Sequence, residues 1–266
     1  MRSLVAVLLL LSALTVACAP ASRAPSTASP RSLLLVTLDT VRADHLGCYG
    51  YAQAETPALD GLARQGLRFA DASSTVPLTL PSHATLLSGL LPPHHGVRAN
   101  GGGPYPASRA TLATRLASAG YRTGAFVAAF VLDHRFGLAR GFEVYDDDVA
   151  RDPIAPWTLE AERPGDQVVD RALAWLGKTD ARPYFLWVHL YDAHAPYTPP
   201  SPQRERHAGR PYDGEIAFVD SQVGRLLAAI ERRGETGKTA VAVVADHGEG
   251  LGEHGEATHG LLLYET

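Results

Sequence analysis

The chain has 266 residues, which is enough for one large domain and short for two full ones. Hydrophobic residues make up 45% of it and charged residues 20%, and the net charge of −4 excludes the basic footprint of a nucleic-acid-binding protein. Arginine far exceeds lysine, but the arginines are scattered along the sequence and do not form a binding patch.

The N-terminal residues have the pattern of a targeting segment followed by a tether. After a basic residue, an apolar run from Leu4 to Leu14 is too short to span a bilayer, and small residues lead up to Cys18. This arrangement resembles a bacterial lipobox, in which the cysteine becomes the lipidated first residue; a plain signal peptide with an incidental cysteine is the alternative. We therefore predict a signal peptide over residues 1–18, a flexible tether over 19–31, and a periplasmic or cell-surface protein that contacts the membrane only through the lipid on Cys18. Cys48 is the other cysteine, so the mature chain is predicted to have no intramolecular disulfide.

From Ser32 onward, segments typical of strands and helices alternate. In chain order, the strand SLLLVTLD is followed by the helix TPALDGLARQG. In this helix Thr56 is the cap, Pro57 the first residue and Gly66 the stop. The next helix, SRATLATRLASAGY, begins at Ser108. The strand RTGAFVAAFVL, the helix DQVVDRALAWLG, the strand YFLWVHLY, the helix DGEIAFVDSQVGRLLAAIERRG and the strand TAVAVVAD come next. This alternation predicts an α/β fold in which a mostly parallel, mixed central sheet is sandwiched by helices.

Polar residues follow the first and the last predicted strands. Asp39 ends the first strand, and Asp246 and His247 end the last one. In a parallel sheet such residues meet at the carboxyl edge, where α/β proteins place their sites. Two carboxylates and an imidazole suit one divalent cation such as Ca²⁺, Mg²⁺, Mn²⁺ or Zn²⁺. Each aspartate taken alone has the alternative role of capping a helix or a turn.

Four motifs together resemble the sulfatase-like branch of the alkaline phosphatase superfamily, from about Ser32 to the last residue. The segment LLLVTLDTVRADHLGCYGY is similar to the family's opening strand and its Asp-containing loop, and TLPSHATLLSG is similar to the nucleophile motif. FLWVHLYDAHAPYTPP is similar to the central His segment, and VVADHGEGLGEHG to the second metal-binding turn. The resemblance implies an alkaline-phosphatase-like catalytic domain over residues 32–266, truncated before the smaller C-terminal subdomain of its relatives.

The resemblance implies that Thr79 is both the nucleophile and a ligand of the metal ion. The family motif is Cys (or Ser)-x-Pro-x-Arg, and its register on TLPSH places Thr79 at the nucleophile and His83 at the arginine. Coordination to a dication lowers the pKa of a hydroxyl, and the N-terminal end of a helix, here predicted to start at Pro81, favours an anionic substrate group. A capping hydroxyl is the alternative role for Thr79.

Three further side chains take roles in the site by resemblance. His194 matches a histidine on the leaving-group side, His259 lies near a residue that binds the transferred group, and Asn100 resembles a substrate-binding amide. A surface histidine in a Pro-rich loop is the alternative for His194. Another alternative is a second metal ion on Asp192, His194 and His259, as in two-zinc phosphodiesterases, but the short spacing in DAH favours one ion. Other histidines are assigned structural roles: His189 in the core, and His94 and His95 in a loop that leaves a helix.

The threonine at the nucleophile position changes the expected chemistry. True sulfatases oxidise a cysteine or serine there to formylglycine, which threonine does not form, so the usual sulfatase mechanism is not expected. We predict a metal-dependent hydrolase of phosphate or sulfate esters, with phosphoester hydrolysis or phosphotransfer favoured, acting on small-molecule, glycan-linked or lipid-linked esters. The alternative is a catalytically silent periplasmic binding or scaffold module, but retention of the nucleophile position together with all the metal-binding positions argues against it.

Overall fold

The computed structural model describes residues 31–149 and 161–261. The predicted signal peptide with Cys18, and residues 19–30 of the predicted tether, lie outside the described residues. Within the two described ranges, no helix combines the length and the apolar character needed to cross a membrane.

Five strands of the described chain form one sheet in the order β3-β2-β4-β1-β5, and every pairing is parallel. The strands are β1 (Ser32–Leu38), β2 (Arg122–Phe126), β3 (Val144–Asp146), β4 (Tyr184–Leu190) and β5 (Thr239–Ala245). The helices are α1 (Pro57–Gln65), α2 (Thr79–Ser88), α3 (Pro92–His95), α4 (Leu112–Ser118), α5 (Gly165–Leu176), α6 (Gln203–Arg206) and α7 (Pro211–Arg232). The predicted α/β fold is confirmed, with a sheet that is wholly parallel in the described ranges where a mixed one was expected.

The edge strand β3 has no counterpart among the predicted strands. It has three residues, pairs with β2, and exposes its first residue, Val144. A short, half-exposed strand lacks the long apolar run that marks a buried strand in a sequence. The other differences lie at element ends: β2 stops at Phe126, before the rest of its predicted apolar run, and α4 begins after a capping box at Thr111 and not at Ser108.

The central strand β4 is buried over its whole length. Alternate residues of a strand point to opposite faces of the sheet, so both faces must be covered. Phe185 and Trp187 of β4 are among the largest fully buried side chains. Beside them, Gly124 allows α5 to approach β2 closely, because a Cβ at this position would lie 2.8 Å from the Trp175 ring. Packing on both faces therefore fixes the position of the sheet, and with it the carboxyl ends of its strands.

Strands β1, β4 and β5 end level with one another. Leu38, the last residue of β1, pairs with Leu190 of β4 and with Ala245 of β5. The hydrogen-bond ladder continues one step further, since the Asp39 N–H donates to the Leu190 carbonyl (2.9 Å) and the Asp246 N–H donates to the Leu38 carbonyl (3.2 Å). The register thus places Asp39 and Asp246 next to each other on the carboxyl edge.

A carboxylate of α7 caps the N-terminus of α1. Asp220 is 2% exposed and accepts hydrogen bonds from the N–H groups of Ala58 (3.0 Å) and Leu59 (2.8 Å). Thr56, the predicted cap, makes no capping bond, and its hydroxyl instead accepts from the Gly47 N–H. Helix α1 begins at Pro57, as predicted, but a residue far away in the sequence supplies its cap.

Replacing Asp220 with alanine is expected to lower the free energy of unfolding by about 1–3 kcal/mol, because two buried N–H groups lose their acceptor. Asp220→Asn keeps one of the two oxygen acceptors in a side chain of the same shape and should lose less. Urea unfolding followed by circular dichroism measures both losses. An alanine variant as stable as the wild type would contradict the capping role.

Candidate active site

Three buried groups with metal-binding atoms meet beyond the carboxyl ends of β1 and β5. Asp39 and Asp246 directly follow these strands, and His247 follows Asp246. One ligand atom from each residue lies within 4.8 Å of the other two. The His247 Nε2 atom is 3.5 Å from Asp246 Oδ2 and 4.0 Å from Asp39 Oδ1. These three residues are called the candidate metal site below.

Each of these groups has one buried atom without a hydrogen-bond partner among the described residues. The atoms are Asp39 Oδ1, Asp246 Oδ2 and His247 Nε2, the same atoms that lie close together. Buried polar atoms are nearly always paired in folded proteins. Two carboxylate oxygens and one imidazole nitrogen are an ordinary donor set for a divalent cation. The residues present therefore fit a metal ion.

The other atoms of these side chains are bound by the protein. His189 Nε2 lies 3.3 Å from Asp39 Oδ2, and the His247 backbone N–H donates to Asp246 Oδ1 at 2.9 Å. His247 Nδ1 is 3.0 Å from the Gly248 carbonyl oxygen, so Nδ1 carries the proton and Nε2 keeps its lone pair for a cation. Hydrogen bonds from the protein to the remaining atoms of a ligand side chain orient that ligand toward the metal ion.

The two carboxylates are energetically unfavourable together without a cation. Burial raises the pKa of Asp246 well above its ordinary value, and the charge of Asp39 raises it further. Burial also disfavours the charge on Asp39, but the hydrogen bond with His189 and the interactions with the neighbouring histidines outweigh burial and hold the pKa of Asp39 below its usual value. Burial lowers the pKa of His247, which favours the neutral imidazole that binds metals.

Thr40 helps to hold Asp246. Its φ of 55° lies in the left-handed region, which a β-branched residue rarely adopts. The Thr40 N–H is 3.4 Å from Asp246 Oδ1, and the Tyr212 hydroxyl of α7 donates to the Thr40 carbonyl at 2.6 Å. A bond from another element thus stabilises an unfavourable backbone conformation next to the candidate metal site.

Thr79 is the first residue of α2 and is buried, so the helix begins at the predicted nucleophile and not at Pro81. The Ser82 hydroxyl donates to the Asp246 carbonyl at 2.6 Å. The Thr79 carbonyl accepts a hydrogen bond from His83 Nδ1 at 2.7 Å, and the same nitrogen is 3.5 Å from Asp246 Oδ2. These contacts fix the first turn of α2 against the end of β5.

His83 is fully buried and binds the protein through both ring nitrogens. Its Nδ1 donates to the Thr79 carbonyl, and its Nε2 accepts from the Thr37 hydroxyl at 2.9 Å, which in turn accepts from Trp187 Nε1 at 3.0 Å. Burial lowers the pKa of His83 to about 3, so the imidazole is neutral and does not replace the positive charge of the arginine in the family motif. In the structure His83 is a positioning residue for Thr79, in contrast to the catalytic role that the resemblance implies.

Asn100 lies beside the same helix start. Its Oδ1 accepts a hydrogen bond from the Leu80 N–H at 2.9 Å. Because this oxygen is bound, the two donors on Asn100 Nδ2 are the groups left for a substrate oxygen. The side chain predicted to bind substrate is therefore hydrogen-bonded to Leu80, the residue that follows Thr79.

The imidazoles of His194, His247 and His259 form a cluster. The His259 ring centroid is 4.5 Å from that of His247 and 4.9 Å from that of His194. His194 stacks on Tyr191, with the ring centroids 4.3 Å apart. His259 Nδ1 is 3.2 Å from Oε1 of the buried Glu249. The structure thus brings both histidines that the sequence analysis selected next to the candidate metal site.

A second metal ion on Asp192, His194 and His259 has no support in the described residues. Two sets of three side chains place ligand atoms within 4.8 Å of one another, and neither contains Asp192. One is the candidate metal site; the other consists of Asp133, His134 and Asp147. Asp192 Oδ1 instead accepts a hydrogen bond from the Gly165 N–H at 2.9 Å.

Three residues have roles that the sequence analysis did not predict. His189 is fully buried, as expected of a core histidine, but it also contacts Asp39; its position one residue before the end of β4 was the available signal. Glu249 is fully buried, and its Oε2 has no partner among the described residues. The loop prediction was wrong for His94 and His95, which both lie in the helical turn α3; His95, at its end, is also buried.

Comparisons with known proteins identify related sequences. The family model described as Sulfatase matches residues 31–264. Arylsulfatase A from Bos taurus is 31% identical over 267 residues, with 83% of this chain and 52% of the relative covered. An arylsulfatase from Clostridium perfringens is 24% identical over 307 residues, with 84% of this chain and 64% of the relative covered. The chain therefore spans about half the length of the first relative and under two thirds of the second.

The fold also matches solved structures. The crystal structure of phosphonate monoester hydrolase of Agrobacterium radiobacter has a TM-score of 0.73 to this chain at 20% sequence identity. The match covers 88% of this chain and 66% of that one. At this identity the likeness concerns the fold.

Removing divalent ions with a chelator is expected to lower the melting temperature, because two buried carboxylates lose the cation that offsets their charge. Thermal unfolding before and after dialysis against EDTA measures the change, and re-addition of Mg²⁺, Ca²⁺, Mn²⁺ or Zn²⁺ should reverse it. In Asp246→Asn, the melting temperature should no longer respond to the ion. This variant without metal should melt at or above the metal-free wild type, because the repulsion with Asp39 is gone.

Asp133→Asn is the matched control for this experiment, since it changes the other set of possible ligands. It should keep the response of the wild type. A wild type that melts at one temperature under all conditions and contains no divalent ion by elemental analysis would contradict the candidate metal site.

Proposed function

We propose that this chain, which belongs to the sulfatase family, is the catalytic part of an enzyme that cleaves phosphate or sulfate esters with Thr79 as the nucleophile. The observation that carries the proposal is the convergence of the candidate metal site, the first turn of α2 and the histidine cluster on one edge of the sheet. Relatives named arylsulfatase support an ester of sulfate, or of the similar phosphate group, as the substrate class.

The surroundings of Thr79 suit a nucleophile. The bond from His83 to the Thr79 carbonyl and the bond from Leu80 to Asn100 fix the backbone on its C-terminal side. Thr79 begins a ten-residue helix, whose N-terminal end favours a negatively charged group. A divalent ion at the candidate metal site would supply positive charge that favours the ionised hydroxyl and offsets charge on the ester oxygens. The Thr79 Oγ1 atom then forms a bond to phosphorus or sulfur while the bond to the leaving oxygen breaks.

His259 and His194 suit two different tasks in this reaction. Burial lowers the pKa of His259, but the hydrogen bond and charge of Glu249 outweigh burial and raise it overall, which favours the positively charged imidazolium that would attract the ester oxygens. His194 Nδ1 donates to the Ala195 carbonyl at 2.7 Å, so in the imidazolium form the second proton, on Nε2, is the one that His194 gives to the leaving oxygen. In the second half of the reaction, water opens the Thr79 ester and the same nitrogen accepts its proton.

Phosphoester chemistry is favoured over sulfate chemistry because of the nucleophile. A formylglycine hydrate has a second hydroxyl on the same carbon, so it can release bound sulfate by returning to the aldehyde. Threonine has one hydroxyl, and its ester must be opened by water or by an acceptor alcohol. Phosphoryl groups on hydroxyl side chains are opened in this way when positive groups offset the charge of the transition state.

Export with a lipid anchor at Cys18 remains part of the proposal. Its support is the apolar run from Leu4 to Leu14 that precedes small residues and the cysteine. In this location, the enzyme meets esters outside the cytoplasm.

Thr79→Ala is expected to lower kcat/KM by about 10³-fold or more, because no other group in the proposal forms the covalent intermediate. Thr79→Ser keeps the hydroxyl and should stay within roughly tenfold of the wild type. Initial rates on 4-nitrophenyl phosphate, bis(4-nitrophenyl) phosphate and 4-nitrophenyl sulfate measure both variants.

The three substrates also test the choice between phosphorus and sulfur. Wild type that cleaves the sulfate ester far faster than both phosphate esters would overturn the phosphoester preference and leave the nucleophile standing. Equal activity of Thr79→Ala and wild type would remove the nucleophile assignment. Absence of turnover of every ester by the wild type would favour the silent binding module.

His194→Gln is expected to slow esters with poor leaving groups much more than esters with good ones. A general acid contributes about 10²- to 10⁴-fold when the departing alkoxide needs a proton, and little when nitrophenolate leaves without one. Rates on an alkyl phosphate and on 4-nitrophenyl phosphate give this comparison, with His134→Gln as the control because His134 is exposed and far along the chain from the cluster. An equal loss on both esters would contradict the general-acid role.

A further inference from the structure

A cavity of about 300 Å³ lies beside the segment that carries His194. The start of α5, the segment after β4 and the first turns of α7 form its walls. Four carboxylates line it: those of Glu162, Asp166, Asp192 and Glu215. A water molecule in the liquid takes about 30 Å³, so the cavity has room for a small organic group and exceeds what a bare ion needs.

The basic residue in the lining does not neutralise these carboxylates. Arg163 is 4% exposed, and its Nη1 donates to Asp146 Oδ1 at 2.6 Å while its Nη2 donates to the Val127 carbonyl at 3.0 Å. Both acceptors lie at the ends of β2 and β3, so the charge of Arg163 is already paired there. The cavity therefore keeps an excess of acidic groups.

In two of the carboxylates the protein binds only part of the acceptor capacity. Glu215 is 4% exposed and accepts a hydrogen bond from the Thr198 N–H at 2.7 Å. Asp192 accepts from the Gly165 N–H through Oδ1, while its buried Oδ2 has no partner among the described residues. Buried carboxylate oxygens without partners are costly, and a cationic ligand would satisfy them.

The protonation behaviour of these groups agrees with a missing positive charge. Burial and the charge of Asp192 raise the pKa of Glu215 to about 8. Glu162 keeps an exposed part, but partial desolvation and the charge of Asp192 raise its pKa to about 7. Burial raises the pKa of Asp192 to about 6. A cation in the cavity would return all three groups to their ionised form.

The cavity is close to the candidate metal site. The charge of Asp39 contributes to the raised pKa of Glu162, so the two places interact electrostatically. Asp192 and Pro196 of the lining stand two residues before and after His194 in the chain. One molecule could therefore place an ester near His194 and another of its groups in the cavity.

We propose that this cavity binds an ammonium group of the substrate while the ester lies at the candidate metal site, an inference that rests on the proposed function. The substrate class is then a phosphate or sulfate ester that also carries an amine, as in an aminoalkyl phosphodiester or an amino sugar ester. Phe218 also lines the cavity, and aromatic rings attract organic cations. A bare metal ion would not use this apolar part of the lining.

Two diesters with the same leaving group test the proposal. 4-Nitrophenyl 2-aminoethyl phosphate carries the ammonium group, and 4-nitrophenyl ethyl phosphate lacks it. The wild type should prefer the amine by about tenfold in kcat/KM, and Glu215→Gln and Glu162→Gln should each lose most of this preference. Glu231→Gln, on the exposed end of α7, should retain it. No preference in the wild type, or an equal preference in all variants, would overturn the proposal.

A binding measurement separates failure of this inference from failure of the proposed function. If the wild type cleaves neither diester, saturation-transfer NMR with ethylammonium chloride tests the cavity directly. Binding to the wild type that is lost in Glu215→Gln supports the cavity although the proposed function fails. Absence of binding overturns it. A second divalent ion in the wild type that Glu215→Gln removes would also overturn it, because the cavity would then hold a metal.

Discussion

Two carboxylates, Asp39 and Asp246, are buried next to each other at the ends of neighbouring parallel strands, and the structure around them depends on balancing their charge. The protein provides part of that balance. His189 binds Asp39, the His247 N–H binds Asp246, and the imidazole of His247 lies near both. The three buried atoms that have no partner among the described residues mark what the protein leaves to a cation. Function and stability conflict here, since an apolar pair would be easier to bury but could not bind an ion.

The core also positions Thr79, the proposed nucleophile. Trp187 of the fully buried strand β4 donates to Thr37, Thr37 donates to His83, and His83 donates to the carbonyl of Thr79. Packing of the central strand therefore determines where α2 begins. Residues held on rigid elements in this way keep a reactive geometry more precisely than residues on a loop.

Charge is distributed unevenly around the site. The histidine cluster and the start of α2 suit anionic groups, while the neighbouring cavity collects carboxylates from around the start of α5, from the segment after β4 and from α7. A substrate with both signs of charge would find a complementary surface in each place. The net charge of −4 does not reveal this separation of a basic and an acidic region, because both regions lie within one small part of the molecule.

The sequence by itself determined the alternation of strands and helices and the ends of β1, β4 and β5, because apolar runs of this length must be buried. It also identified Asp39, Asp246 and His247, since polar residues that directly follow parallel strands share one edge whatever the details of packing. Thr79 was selected through its motif, and its role stays a prediction. These features depend on local pattern and on a single topological rule.

Tertiary structure decided the rest, because the partners involved lie far apart in the chain. Asp220 caps α1 from a position 162 residues away from Ala58, and His189 contacts Asp39 across 150 residues. No local pattern marks such pairs. The neutral, buried state of His83 and the shared acidic cavity arise in the same way, because burial and the proximity of like charges exist only after distant segments have packed together.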